Sequence, residues 1–258
     1  MRKIQKCIFC NQDSTNSESV EHIIPESLGN EELILDKGIV CDKCNNYFSR
    51  EIESPVLNLD GFKQLRFYEL IESKRGRIPN SDALFCGEKC DIHWQKVNGE
   101  NCLMIGMLPE AINKFLETLP KMFFTKGFEL NDKKYEYEIS RFLLKIAIEY
   151  YVYLFIKSEG SASEELNLVI DEQLKKLIQF VRIGRKDRKP IKYEVSVLHN
   201  YKPLSNDNMS IQIGFLLESN DLIFNLVIYN TNFKLNNGFL DYGDVAEIEV
   251  EKTQLATR

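Results

Sequence analysis

Apolar residues are spaced differently in successive parts of the chain. Over residues 1–58 they come as short pieces between turn formers: Cys7-Ile8-Phe9, Val20 to Pro25 and Leu33 to Val40. Leu33-Ile34-Leu35 and Gly38-Ile39-Val40 read as a strand, or as an ordered loop leading into one. The run NNYFSREIE then reads as a short helix with Phe48 and Ile52 on one face, closed by Pro55. Residues 59–108 are mixed. Phe62 to Ile71 fits a helix or a strand, Lys74 to Asp82 a loop, and CDIHWQKVNGENCLMIGM two strands joined at Asn98-Gly99, a strong hairpin dipeptide.

From Pro109 the period lengthens towards 3.6. Pro109 to Leu119 carries apolar residues at 112, 115, 116 and 119. A longer helix over about 134–157 has a core stripe of Ile139, Phe142, Leu143, Ile146, Tyr150 and Leu154. Asp171 is placed to cap a third helix, with apolar positions 174, 177, 178 and 181 and an end at Gly184. The spacing shortens again in Lys192 to Leu198, Ser210 to Leu217 and Leu222 to Tyr229, which read as a small antiparallel sheet with turns near Ser205–Asn208 and Ser219–Asp221. The fold class is therefore α+β.

Composition adds a bulk property. Hydrophobic residues make up 43% and charged residues 28%, so a sizeable core is available. The net charge of −6 argues against a partner held by overall positive potential, but local patches still decide phosphate contacts. MRKIQKCIFC has no long apolar core of the secretory kind, and Lys145 and Glu149 interrupt the most apolar helical run. The expectation is a cytoplasmic protein with no membrane segment.

Seven cysteines bring in chemistry. Cys7, Cys10, Cys41 and Cys44 form two CxxC pairs separated by 30 residues. Each pair sets two thiolates on one tight turn, and two turns complete a closed tetrahedral zinc site. A metal staple suits a segment too short to build much core of its own. Cys86, Cys90 and His93 offer only three ligands, and strand alternation sends Cys90, Ile92 and Trp94 to one face and His93 to the other. That group reads as part of a sheet face.

Between the CxxC pairs stands Glu21-His22-Ile23-Ile24-Pro25, and Asn45-Asn46 follow Cys44 directly. The sequence EHIIPESLGN followed by VCDKCNNYF resembles the HNH endonucleases of the zinc-knuckle type, whose core is a ββα-metal unit. The likeness is specific over residues 7–58. It implies an N-terminal HNH module at 1–58 and an α+β accessory region at 59–258 that positions DNA, senses a signal or binds a partner. By the resemblance, His22 is the general base that takes a proton from the attacking water. Histidine suits this because its ordinary pKa of about 6.5 leaves an imidazole largely neutral near pH 7. Glu21, where the family often has Asp, and Asn45 would hold a catalytic Mg²⁺ or Mn²⁺. The family's middle Asn falls on Asp36. The implied activity is hydrolysis of DNA phosphodiester bonds, in defence against foreign DNA, with a second copy or a second defence protein as partner. The alternatives are an RNA-directed nuclease and a zinc-knuckle binding or scaffold protein without catalysis.

Arg182, Arg185, Lys186, Arg188, Lys189 and Lys192 fall within eleven residues, opposed only by Asp187. Such a strip is either a solvated face or a seat for a nucleic-acid backbone. Arg182, Arg185, Lys186, Arg188 and Lys189 are the expected contacts, and they carry no base-reading motif.

Overall fold

The structure is a computed structural model that describes residues 5–73, 76–85, 88–117, 123–125, 133–159, 174–184, 192–198, 211–218 and 221–235. The chain opens with a ββα unit. Strand β1 (Glu21–His22) pairs antiparallel with β2 (Ile34–Leu35), in the register Glu21↔Leu35 and His22↔Ile34. Helix α1 (Asp42–Phe48) follows, with Cys41 as its N-cap residue. Gly29, at φ +89°, ends a 3₁₀ turn over Glu26–Leu28. A Cβ there would come within 3.0 Å of the Tyr229 hydroxyl, so this position needs glycine for both reasons.

Pro55 does not stop the helix. The chain passes from α1 through a π-helical turn at Ser49–Glu53 into α2 (Ser54–Leu57) and then α3 (Asp60–Tyr68). Pro55 lies in the first turn of α2, where its missing N–H takes nothing from the hydrogen-bond ladder. The ambiguous stretch beginning at Phe62 is thus helical.

Strands β3 (Ser81–Phe85), β4 (Glu88–Val97) and β5 (Glu100–Gly106) come next. With β6 (Phe123–Thr125) they form an antiparallel sheet in the order β5-β4-β3-β6. Asn98 and Gly99, at φ +52° and +87°, make the two-residue hairpin that their sequence forecasts, and Val97 pairs with Glu100. Cys90 and Ile92 are buried against Phe67 and Ala83, with Trp94 packed beside them. Trp94 Nε1 donates to the Phe67 carbonyl at 2.9 Å.

Helix α4 (Pro109–Glu117) precedes the long α5 (Glu136–Glu159), and α6 (Lys175–Ile183) packs on α5. Gly184, at φ +59°, ends α6 as expected, while Asp171 lies outside the described residues. The last sheet has the order β7-β10-β9-β8, built from β7 (Tyr193–Val197), β8 (Ile211–Glu218), β9 (Asp221–Ile228) and β10 (Thr231–Leu235). Strand β10 escapes the sequence reading. It is five residues long, and Asn232 and Lys234 dilute its apolar signal, yet Thr231, Phe233 and Leu235 are buried at the middle of the sheet. The expected turn at Ser205–Asn208 lies outside the described residues.

One hydrophobic core joins the ββα unit, α5, α6 and the last sheet, while Ala83, Cys90 and Ile92 of the other sheet form a smaller cluster with Phe67. The larger core runs from Cys7 and Phe9 through Phe48 and Phe62 to α5 and on to Phe233 and Leu235. Every residue of α5 from Ile139 to Glu149 is buried, so the ββα unit and the last sheet both close on this helix. Phe62 bridges the layers, edge-on to Phe142 at 5.9 Å and stacked on Phe233 at 5.9 Å. Among the described residues no helix is long and apolar enough to cross a membrane. Truncating this fully buried ring in Phe62→Ala is expected to remove about 3–5 kcal/mol of stability in urea unfolding. A loss below about 1 kcal/mol would contradict the bridging role.

Candidate active site and metal cluster

The four cysteines of the two CxxC pairs come together as their spacing requires. Cys7 and Cys10 flank a tight turn in which the Asn11 amide donates to the Cys7 carbonyl at 2.8 Å. Cys41 and Cys44 belong to the N-cap and first turn of α1. The four Sγ atoms lie within 4.8 Å of one another, and Cys10 Sγ is 3.6 Å from Cys41 Sγ. A tetrahedral ion with Zn–S bonds of about 2.3 Å needs sulfur atoms roughly 3.8 Å apart, so the set fits zinc. Electrostatics agree. The hydrogen bond with Cys44 draws the Cys7 thiol down to about 5, while burial pushes Cys10 up to about 11. Cys44 is driven upward, chiefly by that same bond to Cys7. One thiolate therefore suppresses ionisation of its neighbours, and four thiolates need a cation among them. Cys86 lies outside the described residues, and His93 Nδ1 stands 3.5 Å from Asp91, so no second cluster forms among the described residues.

The loop leading to β1 is pinned to α1. Asp42 accepts from the Ser19 hydroxyl at 2.5 Å, the Ser19 amide at 2.9 Å and the Glu18 amide at 3.1 Å, which together hold its carboxyl below the usual range. Asn45 Nδ2 donates to the Val20 carbonyl at 2.8 Å. The amide of Asn45 is thereby seated against the backbone just before Glu21 and His22, and its Oδ1 accepts no hydrogen bond from the described residues. Asn46 is exposed. The loop after β1 is braced by Asn30 rather than at Asp36. Asn30 is buried, donates to Ile24 O at 2.7 Å and Leu33 O at 3.1 Å, and accepts from the Leu33 amide at 2.9 Å. Asp36 is exposed. The bracing Asn thus lies six positions earlier than the family spacing implied.

His22 is half-buried, and its Nδ1 is enclosed with no hydrogen-bond partner among the described residues. Glu21 is only 4% exposed. Its Oε1 sits 2.6 Å from the ammonium of Lys145, which comes from the middle of α5. The other oxygen, Oε2, is buried and has no hydrogen-bond partner among the described residues.

Lys145 is completely buried and also meets Glu53 at 2.8 Å and Glu149 at 3.0 Å. Burial alone would pull a lysine down, but Glu149, Glu21 and Glu53 hold this ammonium well above its usual range. Burial likewise raises Glu149 and Glu21 against the pull of Lys145. Fully ionised, this group carries two negative charges in excess. Two carboxylate oxygens of this buried group, Oε2 of Glu21 and Oε1 of Glu149, have no hydrogen-bond partner among the described residues.

Residues 7–59 match the model of a family described as HNH endonuclease. The chain carries an HNH domain at its N-terminus. No curated protein and no solved structure matches the chain. The HNH match supports a nuclease-type function and implies binding of nucleic acid and divalent metal.

A second α5 residue also reaches the HNH domain. Arg141, one turn before Lys145, donates from Nε to the Val181 carbonyl at 2.7 Å at the end of α6 and reaches the Tyr47 hydroxyl of α1. Arg182 lines a cleft of about 700 Å³ together with Cys10, Asp42, Lys43 and Tyr47. Arg185, Lys186, Arg188 and Lys189 lie outside the described residues. If the four thiols hold a metal, Cys41→Ser is expected to lower stability by about 4 kcal/mol or more. The half-buried Cys102, replaced by Ser, serves as the control and should change it by less than about 1 kcal/mol. Equal melting temperatures for the two variants would count against a metal-bearing cluster.

Proposed function

We propose that the chain is a metal-dependent endonuclease that hydrolyses DNA phosphodiester bonds at the His22 side of the ββα unit. The carrying observation is a pair of consecutive residues, each with an unsatisfied buried atom: Oε2 of Glu21 and Nδ1 of His22. Such atoms occur at other buried positions as well, but here two fall on consecutive residues inside the segment that the HNH family matches, where a site that receives substrate and ions would leave them open.

In this reading His22 accepts the proton of the attacking water, and the hydroxide formed adds to phosphorus as the bond to the 3′ oxygen breaks. Glu21 Oε2 and Asn45 Oδ1 hold Mg²⁺ or Mn²⁺. When bound, that ion polarises the scissile phosphate and stabilises the departing oxygen. Asn45 reaches this role because its Nδ2 is engaged by Val20 O, which fixes the orientation of the amide. The four cysteines hold a structural Zn²⁺ that keeps β1 against α1 and takes no part in the reaction. Arg182, which lines the cleft beside Cys10 and Tyr47, supports the DNA backbone there, and the basic residues that follow it in the sequence add phosphate contacts without reading bases. Residues 59–258 serve as an accessory region built onto the same core. By its resemblance to the zinc-knuckle HNH proteins, the enzyme acts in the cytoplasm in defence against foreign DNA, with a second copy or a second defence protein as partner.

Plasmid nicking in Mg²⁺ or Mn²⁺ is expected for the wild type, with a loss of about 10²–10⁴-fold in His22→Ala. Equal activity of the two proteins, with His22→Ala folded by circular dichroism, would overturn the catalytic assignment. Offering RNA alongside DNA separates the substrates. Cleavage of RNA alone would replace DNA in this reading, and cleavage of neither would favour a binding or scaffold role.

A further inference from the structure

The ammonium of Lys145 lies outside the segment matched by the HNH family and 124 positions from Glu21 in the chain. It nonetheless touches the one carboxylate of the Glu-His pair. The contact is not a surface ion pair of uncertain value. Both groups are buried, the separation is 2.6 Å, and Lys145 is held from two further sides by Glu53 and Glu149. Glu149 lies one turn further along α5, and Glu53 sits in the π-helical turn that follows α1. Three carboxylate oxygens lie within 3.0 Å of the ammonium, which donates hydrogen bonds to Glu21 and Glu149 and makes an ion pair with Glu53.

We propose that Lys145 is a positioning residue of the nuclease centre. It anchors Oε1 of Glu21 so that Oε2 alone is presented to the catalytic cation, while Glu53 and Glu149 fix the ammonium. This assignment rests on the nuclease reading for the identity of the bound ion. The physical basis is that a glutamate has three rotatable side-chain bonds, one more than the aspartate usual at this place. A flexible carboxylate binds an ion weakly unless its second oxygen is tied, and outer groups that orient metal ligands commonly contribute 10–100-fold in metal affinity or activity. The extra methylene at Glu21 is thus matched by a tether from the far side of the core. Chelation through both oxygens is excluded while the tether holds, so Glu21 acts as a one-oxygen ligand.

The test is titration of Mn²⁺ into the intact, zinc-loaded protein, followed by electron paramagnetic resonance of the free ion and, in parallel, by the Mn²⁺ dependence of plasmid nicking. Lys145→Met is expected to weaken Mn²⁺ binding by about 10–100-fold and to raise the half-activating Mn²⁺ concentration to match. Lys145→Arg, which restores a cation, should recover part of that loss. Should Lys145→Met fail to fold, the double variant K145M/E149L removes the buried lysine and its neighbour together, and the same shift is expected. A folded Lys145→Met or K145M/E149L protein with wild-type Mn²⁺ affinity overturns the proposal, as does a wild type whose Mn²⁺ binding is insensitive to Glu21→Gln. Glu21-dependent Mn²⁺ binding without nicking would instead defeat the nuclease reading and leave the positioning role standing.

Discussion

A lysine with no exposed surface, enclosed by three carboxylates, is the interaction on which this structure turns. Removing one partner from such a buried group costs about 3–5 kcal/mol, because the remaining charges lose compensation inside a low-dielectric core. The cluster therefore dictates which surfaces meet. Helix α5 can be buried on all sides only if the HNH domain supplies Glu21 and Glu53 to its polar stripe. The HNH domain, in turn, gains a rigid backing that its short strands and single helix do not provide.

The cysteine cluster makes a second connection within the HNH domain. It clamps the first turn of the chain to α1, and Asp42 and Asn45 on that helix hold the backbone leading into Glu21 and His22. The Glu-His pair is thus held at its backbone by α1 and at a side chain by α5. His22 Nδ1 has no such tether among the described residues, as the proposed role in proton transfer requires. The tethered Glu21 and the untethered imidazole of His22 stand on neighbouring positions of a two-residue strand.

The local features were legible in the sequence. CxxC spacing gave the metal cluster, the Asn-Gly dipeptide gave the β4–β5 hairpin, and helical periodicity gave α5 and α6. What escaped were contacts between distant parts of the chain. In the sequence Lys145 and Glu149 look like interruptions of an apolar stripe, although their i,i+4 spacing with opposite charge inside a buried run was a usable signal. Nothing local links them to Glu21. Asn30 was hidden because its value lies in four bonds to backbone that fold around it. Pro55 misled because proline stops a helix only past its first turn, and the π-helical turn begins a new one there.

The central claim is that α5 holds one oxygen of Glu21 and leaves the other for the cation. Anomalous diffraction from a crystal soaked in Mn²⁺ addresses it directly. The account predicts a peak beside Glu21 Oε2 and Asn45 Oδ1, with the Lys145 ammonium still on Oε1. A Mn²⁺ peak away from Glu21, or a Glu21 carboxylate released from Lys145 to bind the ion with both oxygens, would contradict it.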